Sequence, residues 1–189
     1  MMKACESCGK QIELAATGRP KRFCGQTCRK RASRAPKTAL PRELTSRDRW
    51  VRRQGKRPLT AKGWYASVTD PRTWGSHAEV TASSKGDGVG FVLGDGVGCI
   101  DLDHCITDDV LAGWAREILD ACPATYVEVS MSGTGLHIFG LLAEGKGRGQ
   151  RAGVGVEYYS AGRYIAVTGD RFEGSVNVLA DISEIVSRL

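Results

Sequence analysis

No stretch of this 189-residue chain reaches the roughly 18 consecutive apolar residues that a membrane span requires. The opening Met1-Met2-Lys3-Ala4-Cys5 also lacks the apolar core of a signal peptide. Both absences point to a cytoplasmic, reducing setting. No internal repeat is present, which excludes solenoids and propellers. Acidic residues are scarce at one end only. Residues 1–63 carry 18 Lys and Arg against 4 Asp and Glu, whereas residues 64–189 carry 9 against 17. A basic arm on an acidic body suggests that the arm meets a polyanion, with nucleic acid the first candidate. A plain solubilising tail is the other reading, and the paired cysteines within the arm argue against it.

In a reducing compartment the seven cysteines read as metal ligands and free thiols rather than disulfides. Cys5 and Cys8 form one close pair and Cys24 and Cys28 another, so that each pair reaches one ion and the loop between them closes a tetrahedral four-sulfur Zn2+ site. So small a segment has no core of its own, and metal binding would supply most of its folding free energy. The run from Cys24 to Arg34 looks like the end of a treble-clef-like zinc finger. Arg29, Lys30, Arg31 and Arg34 would then lie along a short helix suited to phosphate contact.

Composition divides the chain into a zinc-binding basic arm (1–34), a proline-containing linker (35–48) and a catalytic domain (49–189). Within the domain, strands are expected at 88–93, 97–102, 125–129, 136–141, 154–158 and 164–168. Helices are expected from Asp70-Pro71 to about Val80, from Thr107 to Ala121, and from Asn177 to Leu189. Gly94-Asp95-Gly96 reads as a hairpin turn. The sum is an α+β fold with a mostly antiparallel sheet.

Three elements carry chemistry. In Cys99-Ile100-Asp101-Leu102-Asp103, strand alternation puts both carboxylates on one face, about 7 Å apart, where they can share hard divalent cations. Ser130-Met131-Ser132-Gly133-Thr134-Gly135 is a small, flexible run whose backbone can approach phosphate, and it leads into His137 on the face opposite Leu136 and Ile138. Glu157 lies opposite Val156 and supplies a third carboxylate, and Arg163 follows as a fixed cation. Taken singly, each has a plainer reading: a solvated strand end, a core histidine, surface charges.

The order Ile-Asp-Leu-Asp-His, Ser-Gly-Thr-Gly-Leu-His, Val-Glu-Tyr-Tyr, Gly-Arg-Tyr and Val-Thr-Gly resembles the bifunctional primase-polymerase branch of the archaeo-eukaryotic primase superfamily, common in phages and plasmids. The resemblance covers about Trp50 to Gly169. It implies an RRM-like catalytic core in which Asp101, Asp103 and Glu157 hold Mg2+ or Mn2+. It assigns His137, Ser132 and Arg163 to an incoming NTP or dNTP. The implied activity is template-directed nucleotidyl transfer by a DNA primase/polymerase on single-stranded DNA, in phage or plasmid replication and, if phage-encoded, in the bacterial host cytoplasm. Glu157 stands where many superfamily members have aspartate. The chain ends soon after the last motif, which leaves three expectations open: a separate helicase or helical-bundle protein as a partner in initiation, a protein that only extends primers, or a zinc arm that supplies the template grip. Competing readings are a catalytically idle single-stranded-DNA-binding module and another two-metal enzyme such as a nuclease.

The remaining residues have plainer expectations. Cys99, Cys105 and Cys122 read as buried or half-buried thiols, and His104 as a turn residue. His77 reads as a surface residue, and Trp64, Trp74 and Trp114 as packing residues. The basic 145–151 stretch is a flexible loop that touches nucleic acid or merely joins strands.

Overall fold

The computed structural model describes residues 2–5, 8–13, 23–28, 39–149 and 155–189. The cations Arg29, Lys30, Arg31 and Arg34, the first four linker residues (35–38), and Val154 lie outside the described residues. In the arm, β1 (Met2–Ala4) pairs antiparallel with β2 (Gln11–Glu13), and a helical turn opens at Gln26.

The body consists of two four-stranded antiparallel sheets with helices on the outer face of one of them. The first sheet contains β6 (Val97–Leu102), β9 (Tyr126–Val129), β10 (Leu136–Leu141) and β11 (Val156–Tyr159), in the order β11-β6-β10-β9. The second contains β3 (Trp50–Gln54), β4 (Arg57–Leu59), β5 (Gly88–Val92) and β12 (Tyr164–Val167), in the order β12-β5-β3-β4. Period-two alternation sends each strand's side chains to both faces, and both faces of the first sheet are covered. Cys99, Tyr126 and Phe139 meet Trp50, Phe91, Ile165 and Val167 of the second sheet in one core. Ile100, Leu102, Val127, Leu136 and Ile138 point the other way, into a second core. There they meet Ala115 of α3 (Gly113–Ala121) and Ile185 of α4 (Ser183–Arg188). A short α1 (Arg42–Thr45) brings Leu44 into the first core, where its carbonyl accepts from Trp50 Nε1 at 3.1 Å.

The expected strands all form, and the Gly94–Gly96 turn closes a tight hairpin. Asp95 and Gly96 both have positive φ (54° and 75°), the two-residue geometry that matches strand twist. The helices start later or break. Asp108 and Asp109 also have positive φ (50° and 61°) and close a miniature hairpin of β7 (Ile106–Thr107) and β8 (Val110–Leu111). The helix expected from Thr107 therefore begins only at Gly113. The helix expected from Asp70 is a 3-10 turn, Pro71–Thr73, capped by Asp70. A separate α2 (His77–Ala82) follows, opened by a Ser76/Glu79 capping box. The final helix covers only Ser183–Arg188.

Among the described residues no helix is long and apolar enough to cross a membrane. Cys99 and Cys105 are buried and Cys122 half-buried, as expected. His104 adopts a positive φ of 53° in a turn. Two expectations fail. His77 is not a free surface side chain, because its ring meets the edge of Trp50 at 4.6 Å, and the burial lowers its pKa. Trp74 and Trp114 do pack, but Trp64 is 74% exposed.

Candidate active site and four-cysteine cluster

The register of the first sheet places four polar residues in a single row. Glu157 pairs with Asp101, Asp101 with His137, and His137 with Glu128. Paired residues in antiparallel strands share a face, so this row runs from β11 to β9 on the side that looks toward the second sheet. The next row on the same face, Tyr159, Cys99, Phe139 and Tyr126, is its aromatic and apolar floor.

Asp101 is the least comfortable member of the row. Its Oδ1 is buried and has no hydrogen-bond partner, with His137 Nε2 at 3.8 Å. Burial pushes its carboxyl above the usual aspartate range; His137 opposes that rise, and Asp103 and Glu157 reinforce it. An orphaned buried carboxylate oxygen beside two further carboxylates is the environment that a hard cation relieves. Asp103 lies just past the end of β6, where its N–H donates to Gly155 O at 2.7 Å. A Cβ on Gly155 would lie 2.7 Å from Asp103 O, so only glycine lets the two backbones approach this closely.

His137 is set from behind by Glu128. This wholly buried carboxylate accepts from Tyr126 Oη (3.0 Å), Thr168 N (3.1 Å) and Gly169 N (3.0 Å), and lies 3.2 Å from His137 Nδ1. A carboxylate is an acceptor only, so Nδ1 carries a proton and Nε2 is turned toward Asp101. Glu128 was not among the sequence candidates, although the Val-Thr-Gly run that holds it was one of the resembling motifs.

Arg163 and Glu157 are joined through Tyr159. Arg163 Nη2 donates to Tyr159 Oη at 2.6 Å, and Tyr159 Oη donates to Glu157 Oε2 at 2.9 Å. The guanidinium also lies 4.1 Å from the centre of the Tyr159 ring. Ser132 lies in the exposed loop between β9 and β10, linked to Ser130 Oγ (3.0 Å) and Thr134 Oγ1 (2.9 Å). A Cβ on Gly135 would meet Leu102 O at 2.7 Å, which pins this loop against the end of β6 next to Asp103.

The structure therefore brings Asp101, His137, Glu157 and Arg163 into one cluster, with Asp103 and the Ser132 loop at its rim. The three carboxylates do not converge on a single point. Among the described residues only Cys5, Cys8, Cys24 and Cys28 have ligand atoms all within 4.8 Å of one another. Sulfurs bound at 2.3 Å around a tetrahedral ion are spaced about 3.8 Å apart. Cys8 and Cys24 are at 3.7 Å and Cys24 and Cys28 at 3.5 Å. Cys24 N donates to Cys5 Sγ at 3.3 Å, the kind of outer contact that steadies a thiolate ligand.

Two comparisons bear on this geometry. A phage relative, the DNA Primase-polymerase of Nitratiruptor phage NrS-1, is 37% identical over 123 residues, which is 59% of this chain and 17% of the relative. The chain thus spans only a small part of that protein's length. Residues 30–185 match the family described as bifunctional DNA primase/polymerase, N-terminal, and to that family this chain belongs.

Proposed function

We propose that this domain joins nucleotides on a single-stranded DNA template, as a primase/polymerase of phage or plasmid replication. The observation that carries the proposal is the row Glu157–Asp101–His137–Glu128, with its orphaned buried carboxylate oxygen on Asp101 and a cation, Arg163, alongside. The sheet order β11-β6-β10-β9, with α3 crossing between β6 and β9 and two helices on one face, supports an RRM-like core.

Asp101, Asp103 and Glu157 would hold Mg2+ or Mn2+, which when bound stabilises charge on the attacking and leaving oxygens of phosphoryl transfer. The chain's own groups bind and orient the nucleotide. His137 would donate from Nε2 to the phosphates as an imidazolium, with its Nδ1–H held by Glu128. The Ser130–Gly135 loop offers hydroxyls and close backbone. Arg163, steadied on Tyr159, contributes a positive charge where the phosphates are negative. The four cysteines would hold Zn2+, and Arg29, Lys30, Arg31 and Arg34 would track the DNA backbone.

The test is primer synthesis on single-stranded DNA with NTPs or dNTPs and Mg2+ or Mn2+, with a parallel reaction on a preformed primer. The comparison is native chain against Asp101→Ala/Asp103→Ala. Template-dependent products that vanish in the double variant support the proposal. Shortened strands alone would make the domain a nuclease, and no metal-dependent product would leave it a binding module.

A further inference from the structure

Trp64 and Tyr65 are 74% and 69% exposed, adjacent in sequence, and unlike the other large aromatic side chains of the body. They sit in the turn after β4, the edge strand of the second sheet, where Tyr65 bridges Leu59 and Trp64 O accepts from Thr60 N at 2.7 Å. Two neighbouring aromatic rings left in water have a hydrophobic cost that packing elsewhere in the fold does not remove.

The segment that carries them has charge of one sign. Residues 49–69 contain six Lys and Arg and no Asp or Glu. Arg49, Arg52 and Arg53 are used internally, on the carbonyls of Val92 and Leu93, the carbonyls of Lys85 and Val80, and the Asp87 carboxylate. Lys56, Arg57 and Lys62 are left facing water, and the stem of Lys85 lies against Gly63. None of these four takes part in an ion pair among the described residues. Arg57 lies over the Tyr65 ring at 5.0 Å and donates to its hydroxyl at 2.7 Å, which holds that ring in place.

We infer that Trp64 and Tyr65, with Arg57 over the Tyr65 ring and Lys62 and Lys85 beside Gly63, form a stacking platform for unpaired bases of a single-stranded DNA. Exposed rings flanked by cations bind single strands because every base has a face to stack and every linkage a charge to neutralise. A second copy of the chain would bring the same cations against this edge, and like charges disfavour it. The inference builds on the proposed function and says where the strand lies. Tyr65, Leu59, Arg52, Val89 and Val167 form one continuous cross-strand row, and Thr168, next after Val167, donates to Glu128. Four strand spacings separate the platform from that end of the row, about 19 Å. A strand held at the platform is thus within a few nucleotides of the carboxylate cluster.

The experiment measures binding of end-labelled oligothymidylate to the full zinc-loaded chain by fluorescence anisotropy, without nucleotides or added Mg2+ or Mn2+. A strand of the same length lacking its bases serves as control. Trp64→Ala and Tyr65→Ala are each expected to raise Kd about tenfold on oligothymidylate. Trp64→Phe should keep most of the affinity, and neither alanine variant should change binding to the baseless strand. Lys62→Gln should reduce the salt dependence on both strands by about one phosphate's worth. Unchanged Kd in the alanine variants, an equal loss on the baseless strand, or a change only in self-association by sedimentation would each overturn the platform. Because no catalysis is read, a chain that makes no primer can still pass this test. A competent primase whose alanine variants bind normally would fail it alone.

Discussion

Glu128 Oε1 and His137 Nδ1 are 3.2 Å apart inside the first sheet, and the remaining acceptor positions of that carboxylate are filled by Tyr126, Thr168 and Gly169. The pair makes the histidine's orientation a property of the fold rather than of the ligand. Glu128→Ala would orphan two backbone N–H groups, a phenol and an imidazole at a buried site, a loss on the order of 3–5 kcal/mol. Glu128→Gln keeps the shape, but its NH2 must face a donor. It is expected to remain folded, with nucleotide transfer reduced at least tenfold and the His137 ring nitrogens losing their fixed Nδ1–H pattern in 15N spectra. A glutamine variant with native spectra and native turnover would show that the ring is oriented by something else.

Asp101 gives a prediction that needs no substrate. Its carboxyl is pushed above the ordinary range, chiefly by burial. A folded-state value above the unfolded one means that ionisation opposes folding. The penalty is complete above the folded value and disappears as pH falls below the unfolded one. Asp101→Asn should therefore melt higher than the native chain at neutral pH, and the difference should vanish in acid. Mn2+ should raise the native melting temperature at neutral pH and leave the asparagine variant nearly unchanged. Equal metal stabilisation of both proteins would mean that the cation sits elsewhere.

Much of this site could be read from alternation alone. Asp101, His137 and Glu157 each stand between apolar neighbours in short strands, so parity put them on one face, and the register then joined them in a row. Glu128 obeys the same alternation in Tyr126-Val127-Glu128-Val129, yet the pattern gave no warning of its role. A charged residue opposite two valines reads as solvent-facing, and only the second sheet, packed over that face, makes it buried. That second sheet was itself half hidden. β3 carries Arg52, Arg53 and Gln54, which mask a strand whose arginines turn back onto backbone carbonyls and Asp87. Trp64 misled for the opposite reason, since size suggests burial and only the edge position of its turn leaves it exposed.

Gly155 tests how tightly the rim is built. Its missing Cβ would sit 2.7 Å from Asp103 O and 2.9 Å from Asp103 Cβ. Gly155→Ala must push the Asp103 backbone away, at a cost of about 1–3 kcal/mol. The expected result is a modest drop in melting temperature and a much larger fall in turnover, because the displaced carboxylate is one of the proposed cation ligands. Turnover that falls only in proportion to the folded fraction would remove Asp103 from that set.

The arm should come apart without the body. Its small core consists of Cys5, Ile12 and Cys28, backed by Cys8 and Phe23, and neither core of the body includes any of these. Without a metal, hydrogen bonds from the Cys24 thiol to Cys28, then Cys8 and Cys5, push that thiol up to about 12, so binding zinc must expel protons and weakens as pH falls. Chelation is expected to release one zinc per chain and leave the main thermal transition in place. It should lower affinity for single-stranded DNA and reduce the salt slope by about 3, the share of four cations on a single strand, if Arg29, Lys30, Arg31 and Arg34 are presented by the folded arm. A zinc-sensitive dye, calorimetry and anisotropy at several salt concentrations read the three effects separately. Release of zinc with an unchanged salt slope would make the cluster a structural clip with no part in holding DNA. Loss of the main transition would show that the arm, through Gly9 against Val178 and Ala124, is part of the body's own stability.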